Sequence, residues 1–320
     1  MRAQAVQALL CPVCGLDFRP PATDDRELAC LDGHHFDIAR QGYVNLMAGQ
    51  GTRFQQDTPD MVEARDAFLD AGHYDRLADT LAESVATHLA GNTAEATGRT
   101  PLVVDAGTGT GFYLHRILAG LANEGHEAAS IGLDISKFAL RRAARRNPGT
   151  ANLSCDVWHP LPIAARAADA VVVVFAPRNP GEFARILRPG GLLLVVTPLP
   201  GHLAELADGL LGIQQDKEAA LHESLAGHFL LESQSELRYT LHLGPDDAAN
   251  VTRMGPAGHH ERRGAPHEGP VSVSAAFRIS EFRPLPAQEP PNQEPPAQAG
   301  PARRPWQVPV RLRPASRHAG

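Results

Sequence analysis

Apolar residues along the middle of the chain gather into five short runs, and the stretches between them carry helical spacing. The runs are Leu102-Val103-Val104-Asp105-Ala106, Ile131-Gly132-Leu133-Asp134, Leu153-Ser154-Cys155-Asp156, residues 169–177 and residues 192–198. Each is too short for a stable helix and reads as a strand. The fourth is apolar almost throughout, as a strand buried on both faces must be. Behind the first run, Leu114, Ile117, Leu118 and Leu121 share one helical face. Strands alternating with helices predict a doubly wound parallel sheet. Ligands bind at the carboxyl ends of such strands, where Asp105, Asp134, Asp156 and the turn at 175–179 fall.

Upstream, residues 60–69 and 73–89 have helical patterns broken at Ala71-Gly72, with Asp57 or Asp60 expected to cap the first helix. Residues 49–58 read as a loop and 91–100 as a linker. Arg53 and Arg65 read as solvated cations. Residues 35–46 alternate apolar with polar. That pattern fits a strand packing the N-terminal segment onto its neighbour, or a recognition surface built on Arg40, Gln41, Tyr43 and Asn45. Far downstream a strand is expected at 271–282. From Pro284 onward lie ten of the chain's 27 prolines, and the last twenty residues hold five arginines and no acid. Such a tail buries no core; it is an extension or an electrostatic arm.

Composition sets the scale. With 320 residues, 43% hydrophobic, the chain holds one substantial α/β domain and a smaller module. A net charge of −6 does not announce a nucleic-acid binder, although a local basic surface acts within an acidic whole. One such stripe is Arg141, Arg142, Arg145 and Arg146, which reads first as a solvated helix face and second as a phosphate contact. No apolar run reaches membrane-spanning length and the start lacks a signal-peptide core, so a cytoplasmic protein with no membrane partner is expected.

Three of the four cysteines have metal spacing. Cys11 and Cys14 form a C-x2-C knuckle, followed by Cys30 and His34 in C-x15-C-x3-H. Zinc takes four tetrahedral sulfur and nitrogen ligands, and a closed set of four protein ligands is structural. Gly33 suits the second turn, and His35 competes with His34 for the fourth place.

Between the first strand and its helix stands Asp105-Ala106-Gly107-Thr108-Gly109-Thr110-Gly111. Glycines there bring backbone close to a ligand, and the helix N-terminus behind them offers free N–H groups. The acid a little over twenty residues on, Asp134, suits ribose hydroxyls. This D-x-G-x-G-x-G turn with Asp134 and Asp156 resembles the class I S-adenosylmethionine-dependent methyltransferases, with their Rossmann-like fold. The Rossmann dehydrogenase spacing, G-x-G-x-x-G, fits less well.

With the cysteine pattern added, the span from Cys11 to Pro286 is similar to the 23S rRNA (guanine-N1-)-methyltransferases, in the branch of Gram-positive bacteria and macrolide producers. Residues 36–46, 68–74, 132–137, 175–180 and 202–206 carry the likeness. It departs at 258–270, where a Gly/Pro/His-rich stretch replaces an expected helix. The resemblance implies S-adenosylmethionine and Zn2+ as cofactors, 23S rRNA as partner, and methylation of a guanine in a domain II hairpin near the peptide exit tunnel, where tylosin-like macrolides bind. It leaves room for a homodimer. It implies Gly107, Gly109 and Gly111, after Asp105, at the methionine part, Asp134 at the ribose and Asp156 at the adenine amine. Phe175, Pro177, Arg178 and Asn179 are candidates for the base pocket, and the general base is unassigned. The expected domains are a zinc module (1–50), a helical connector (51–101), a methyltransferase domain (102–285) and a tail (286–320). The rival readings are a small-molecule methyltransferase and a non-catalytic RNA-binding factor.

Overall fold

The computed structural model describes residues 1–20, 26–47, 51–91, 98–209, 217–255 and 269–286. Expectations for 258–268 and for the tail from 287 lie outside the described residues. From the N-terminus come helix α1 (Ala3–Gln7), strands β1 (Glu27–Ala29), β2 (His35–Asp37) and β3 (Tyr43–Asn45), and helices α2 (Pro59–Asp70) and α3 (Asp75–Gly91). The alternating part follows as β4 (Leu102–Ala106), α4 (Phe112–Asn123), β5 (Ala129–Asp134), α5 (Lys137–Arg146), β6 (Ala151–Ser154), β7 (Ala168–Val174), α6 (Pro180–Ile186) and β8 (Leu187–Pro198). The last elements are α7 (Lys217–Ala226), β9 (Phe229–Leu243), α8 (Pro245–Arg253) and β10 (Val271–Pro284). No helix among the described residues is long and apolar enough to cross a membrane.

All five predicted strands form, in one sheet of eight ordered β3-β6-β5-β4-β7-β8-β10-β9. The first six run parallel; β10 and β9 are antiparallel. Three strands therefore extend the sheet beyond the predicted five. One is β10, expected as a strand but not placed. Another is β9, a mostly exposed edge strand that buries few apolar residues besides Phe229, Leu241 and Leu243.

The third is β3, which splits the alternating stretch at 35–46. Its first part, β2, pairs with β1 in a small antiparallel ribbon; its second pairs with β6 through Tyr43↔Asn152, Val44↔Leu153 and Asn45↔Ser154. The expected strand forms, and it joins the central sheet itself, with Arg40 and Asn45 left exposed. Cys11, Phe18, Leu28, Cys30 and Val44 share one apolar layer with Val104, Ile131, Leu153 and Val171. The apolar core runs across the boundary expected at residue 50. On the sheet's other face, Phe68, Leu77, Leu81, Leu114 and Ile117 cover Val103, Val172, Val174 and Leu194.

Two local expectations are corrected. Thr58, not Asp57 or Asp60, caps α2, accepting from the Met61 N–H at 3.3 Å with Pro59 in the first turn. The arginine stripe on α5 is only partly a solvated face. Arg142 and Arg146 both donate to Asp66 of α2, at 2.9 and 2.7 Å, and Arg146 also reaches Asp70 and lies over the Phe112 ring. The Asp66 side chain is only 13% exposed, so two cations neutralise a largely desolvated carboxylate. Replacing it (Asp66→Ala) should lower stability by about 1–3 kcal/mol, read as a shift in urea midpoint. An unchanged midpoint would mean that α2 is held by its apolar face alone.

Candidate active site

The cysteine knuckle and the ribbon turn bring four donor atoms together. The Cys11, Cys14 and Cys30 thiols and the His34 ring nitrogen lie within 4.8 Å of one another. Cys14 to Cys30 is 3.7 Å, Cys11 to His34 Nδ1 is 3.8 Å and Cys30 to His34 Nδ1 is 3.4 Å. A tetrahedral zinc with ordinary bond lengths spaces its sulfurs by roughly 3.8 Å and sulfur from nitrogen by roughly 3.5 Å. The set fits that ion in chemistry and in spacing. His35 points elsewhere, to Glu27 at 3.0 Å.

The second site lies at the carboxyl ends of β4, β5 and β6. The three glycines after Asp105 all have positive φ, and they serve two different purposes. A Cβ on Gly107 would lie 2.3 Å from that of Ala176, and one on Gly111 would lie 2.7 Å from the Asn147 amide; both glycines serve packing. Gly109 meets no clash, with the Arg65 guanidinium in ordinary contact at 3.8 Å from where its Cβ would stand. Its N–H donates to Asp134 at 2.9 Å, and the other Asp134 oxygen accepts from the Ser136 N–H at 2.7 Å. Ser136 caps α5, so the ligand-type acid and the helix cap are separate residues. Asp105 accepts from the Thr108 hydroxyl at 2.7 Å. Burial, reinforced by the Asp134 charge, pushes its carboxyl up to about 7. Burial also raises Asp134, against the two N–H groups it accepts from. Two desolvated carboxyls side by side favour a cationic ligand.

A strap closes over these strand ends. Thr52 donates to Asp156 at 2.9 Å, Ser136 donates to the Asp57 carbonyl at 3.2 Å, and the Asp57 carboxylate pairs with Arg65. Arg65 also donates to the Met254 carbonyl at 2.7 Å. Arg53 is exposed, as expected, but Arg65 is not the solvated cation that helical spacing suggested. It stands over the glycine turn as the positive charge a ligand carboxylate needs. The cleft thus offers a cation for a carboxylate and three acids for amine, hydroxyl and cationic groups. S-adenosylmethionine carries all of these, so the donor set fits it.

Next to the cleft, the turn after β7 opens an aromatic slot. Phe175 is 43% exposed and held at φ +53°, where a side chain is strained. Its ring lies near Tyr74, His202 and Phe277, at 6.4, 6.4 and 5.7 Å. His202 Nδ1 accepts from the Ala276 N–H at 3.1 Å, and Nε2 contacts the Tyr74 hydroxyl at 3.2 Å. Burial lowers His202 to about 4 and raises the Tyr74 phenol, so both rings are neutral at physiological pH. Asn179 caps α6 and donates to the Val157 carbonyl at 2.9 Å, so its amide is occupied in shaping the turn. Pro177 is exposed. Half-burial lowers the Arg178 guanidinium. Tyr74, His202, Phe277 and Arg65 were not among the predicted site residues. The segments at 68–74 and 202–206, which carry the family likeness, hold the signal for the first two.

Residues 9–53 match a zinc-ribbon family described as "RlmA, N-terminal", and residues 103–191 match "Methyltransferase domain". The chain is 46% identical over 294 residues to the 23S rRNA (guanine(748)-N(1))-methyltransferase of Streptomyces fradiae, covering 89% of this chain and all of that protein. The chain belongs to the 23S rRNA (guanine-N1-)-methyltransferase family. A Micromonospora griseorubida protein provisionally named a 23S rRNA (guanine-N(1)-)-methyltransferase is 41% identical over 300 residues, again over 89% of this chain and its own whole length. As a member of this family the chain is a methyltransferase with an S-adenosylmethionine fold and a zinc ribbon.

The raised Asp105 carboxyl fixes a pH dependence. Below about pH 4 it is neutral in both folded and unfolded chains. Between about 4 and 7 only the unfolded chain ionises, so stability is lost as pH rises. Asp105→Asn should remove that part of the slope, on the order of 3 kcal/mol, from urea midpoints measured between pH 5 and 8. A wild-type slope that the variant retains would place the titrating group elsewhere.

Proposed function

We propose that the enzyme transfers the methyl group of S-adenosylmethionine to N1 of a guanine in a domain II hairpin of 23S rRNA, beside the peptide exit tunnel. It acts in the cytoplasm, and the modification confers resistance to tylosin-type macrolides. The observation that carries this reading is the seating of the ribbon and the cofactor cleft on adjacent strands of one sheet, β3 beside β6. A rigid second module beside the cleft suits a polymer that must touch both. The Streptomyces fradiae relative is named for a specific 23S guanine, which supports the same substrate class here.

In this reading Cys11, Cys14, Cys30 and His34 hold the zinc in a structural role. Gly109 and Arg65 meet the methionine part, Asp134 the ribose hydroxyls and Asp156 the adenine amine. When bound, the cofactor supplies a methyl group on a sulfonium, open to in-line displacement. Positioning is then the main task of the chain's residues. The target guanine must leave its stack to reach the slot, where Phe175 offers a stacking face. Guanine N1 carries a proton at neutral pH. His202 is a poor candidate for removing it, being lowered to about 4 with Nδ1 already accepting a hydrogen bond. Tyr74 holds its own proton. Arg178, three residues after Phe175 in the same turn, is the cation proposed to balance an N1-deprotonated base. A homodimer is part of the reading: among the described residues β9 is the last strand of the sheet, an edge a second copy could pair with.

Primer extension on 23S rRNA tests the reaction, because N1 methylation blocks base pairing. Cells expressing the chain should give a stop within the domain II hairpin that disappears with Asp134→Ala. A stop independent of the chain would sink the proposal. Elemental analysis should find one zinc per chain, and Cys14→Ser or Cys30→Ser should lose it and lower the melting temperature. Full metal occupancy in either variant would refute the four-ligand assignment.

A further inference from the structure

Two large aromatic side chains stay on the surface at the rim of the cofactor cleft. Trp158 is 49% exposed and Phe54 37% exposed, yet their rings stack on each other at 6.1 Å and 27°. The Arg53 guanidinium lies 5.4 Å over the Phe54 ring. The pair is braced. The Phe54 N–H donates to Thr52 Oγ1 at 3.1 Å, and Thr52 donates to Asp156 at 2.9 Å. The Trp158 backbone N–H donates to the other Asp156 oxygen at 3.0 Å. One buried carboxylate therefore holds both halves of the pair, from the strap and from the turn after β6. A third tie, from Asn179 to the Val157 carbonyl, fixes that turn to the mouth of the slot.

Position and chemistry select the partner. The pair lies between the ribbon strand β3, which is registered on β6, and the turn at 175–179 that opens the slot. A substrate that touches both the ribbon and the slot passes over it. Its neighbours are polar: Gln55 is exposed and His159 is half exposed. An apolar peptide or a lipid would need a wider apolar field. Flat rings with a guanidinium alongside match an unpaired nucleobase, because every base offers a π-face whatever its sequence.

We propose that Trp158 and Phe54, with Arg53, form a stacking platform for an unpaired base of the substrate RNA other than the methylated guanine. The platform rests on the rRNA reading above. It positions RNA relative to the slot and takes no part in methyl transfer.

The chain has two tryptophans, Trp158 and Trp306, so a full-length Trp306→Phe chain reports on Trp158 alone. Titration with the domain II hairpin RNA should quench Trp158 emission. Trp158→Ala and Phe54→Ala should each weaken hairpin binding by about 5- to 100-fold, the range for losing one stacked base. Trp158→Phe should keep most of the affinity. S-adenosylhomocysteine affinity, by calorimetry, should stay within about twofold in all three. If the alanine variants lose S-adenosylhomocysteine and keep the RNA, the rings roof the cofactor's adenine and the proposal fails. If neither affinity moves, the pair is inert surface and the proposal fails equally. A wild-type chain that binds the hairpin without methylating it would overturn the proposed function and leave the platform standing. One that does not bind the hairpin would overturn both.

Discussion

Strand pairing between β3 and β6, with the Leu9–Ile163 bridge, holds the molecule's two modules in one frame. The ribbon alone has a three-residue hairpin and few apolar side chains, too little to stabilise itself. By running Tyr43, Val44 and Asn45 alongside Asn152, Leu153 and Ser154, the chain converts the ribbon's last strand into the sheet's first. Val44 becomes fully buried, and the thiols of Cys11 and Cys30 sink into the same apolar layer. The donor cluster is thereby fixed relative to the strand ends that form the cleft. A hinge between the modules would cost a substrate spanning both of them ordering entropy on binding.

The cleft is organised by opposite charges held apart. Asp105 and Asp134 are desolvated in the floor, and Arg65 stands above the glycine turn, anchored to Asp57 and to the Met254 carbonyl. In that geometry a desolvated acidic floor faces a guanidinium whose charge is shared with Asp57. The arrangement suits a ligand that is cationic along its middle and anionic at one end. The strap matters because it delivers that guanidinium: residues 52–57 touch the ends of β6 and β5 before α2 brings in Arg65. The neutral aromatic slot beside it has different demands, shape and polarisability rather than charge. That contrast explains why burial leaves His202 and Tyr74 uncharged there.

The parallel strands were legible because burial on both faces writes them as continuous apolar runs. The glycine turn and Cys/His spacing were legible because both are local. The edge strand β9 was not, since one exposed face lets Glu, Ser, Gln and Arg interrupt its pattern. Arg65 was misread because helical spacing places it on a face of α2 without saying what folds back against that face. The arginine stripe was misread for the same reason: Asp66 lies far off in sequence, and only the packing of α2 on α5 brings it to Arg142 and Arg146. Tyr74, Phe175, His202 and Phe277 come from four separate segments, so no window of sequence contains the slot they form.

The shared apolar layer has an evolutionary consequence. A ribbon with its own core behaves as a cassette, which recombination can move between catalytic domains to change the target. Here the ribbon's apolar residues pack in one layer with the sheet's, and a transplanted copy would arrive with its hydrophobic face unmatched. New specificity in such an enzyme must arise by substitution at exposed positions, with ribbon and sheet diverging together as one inherited unit.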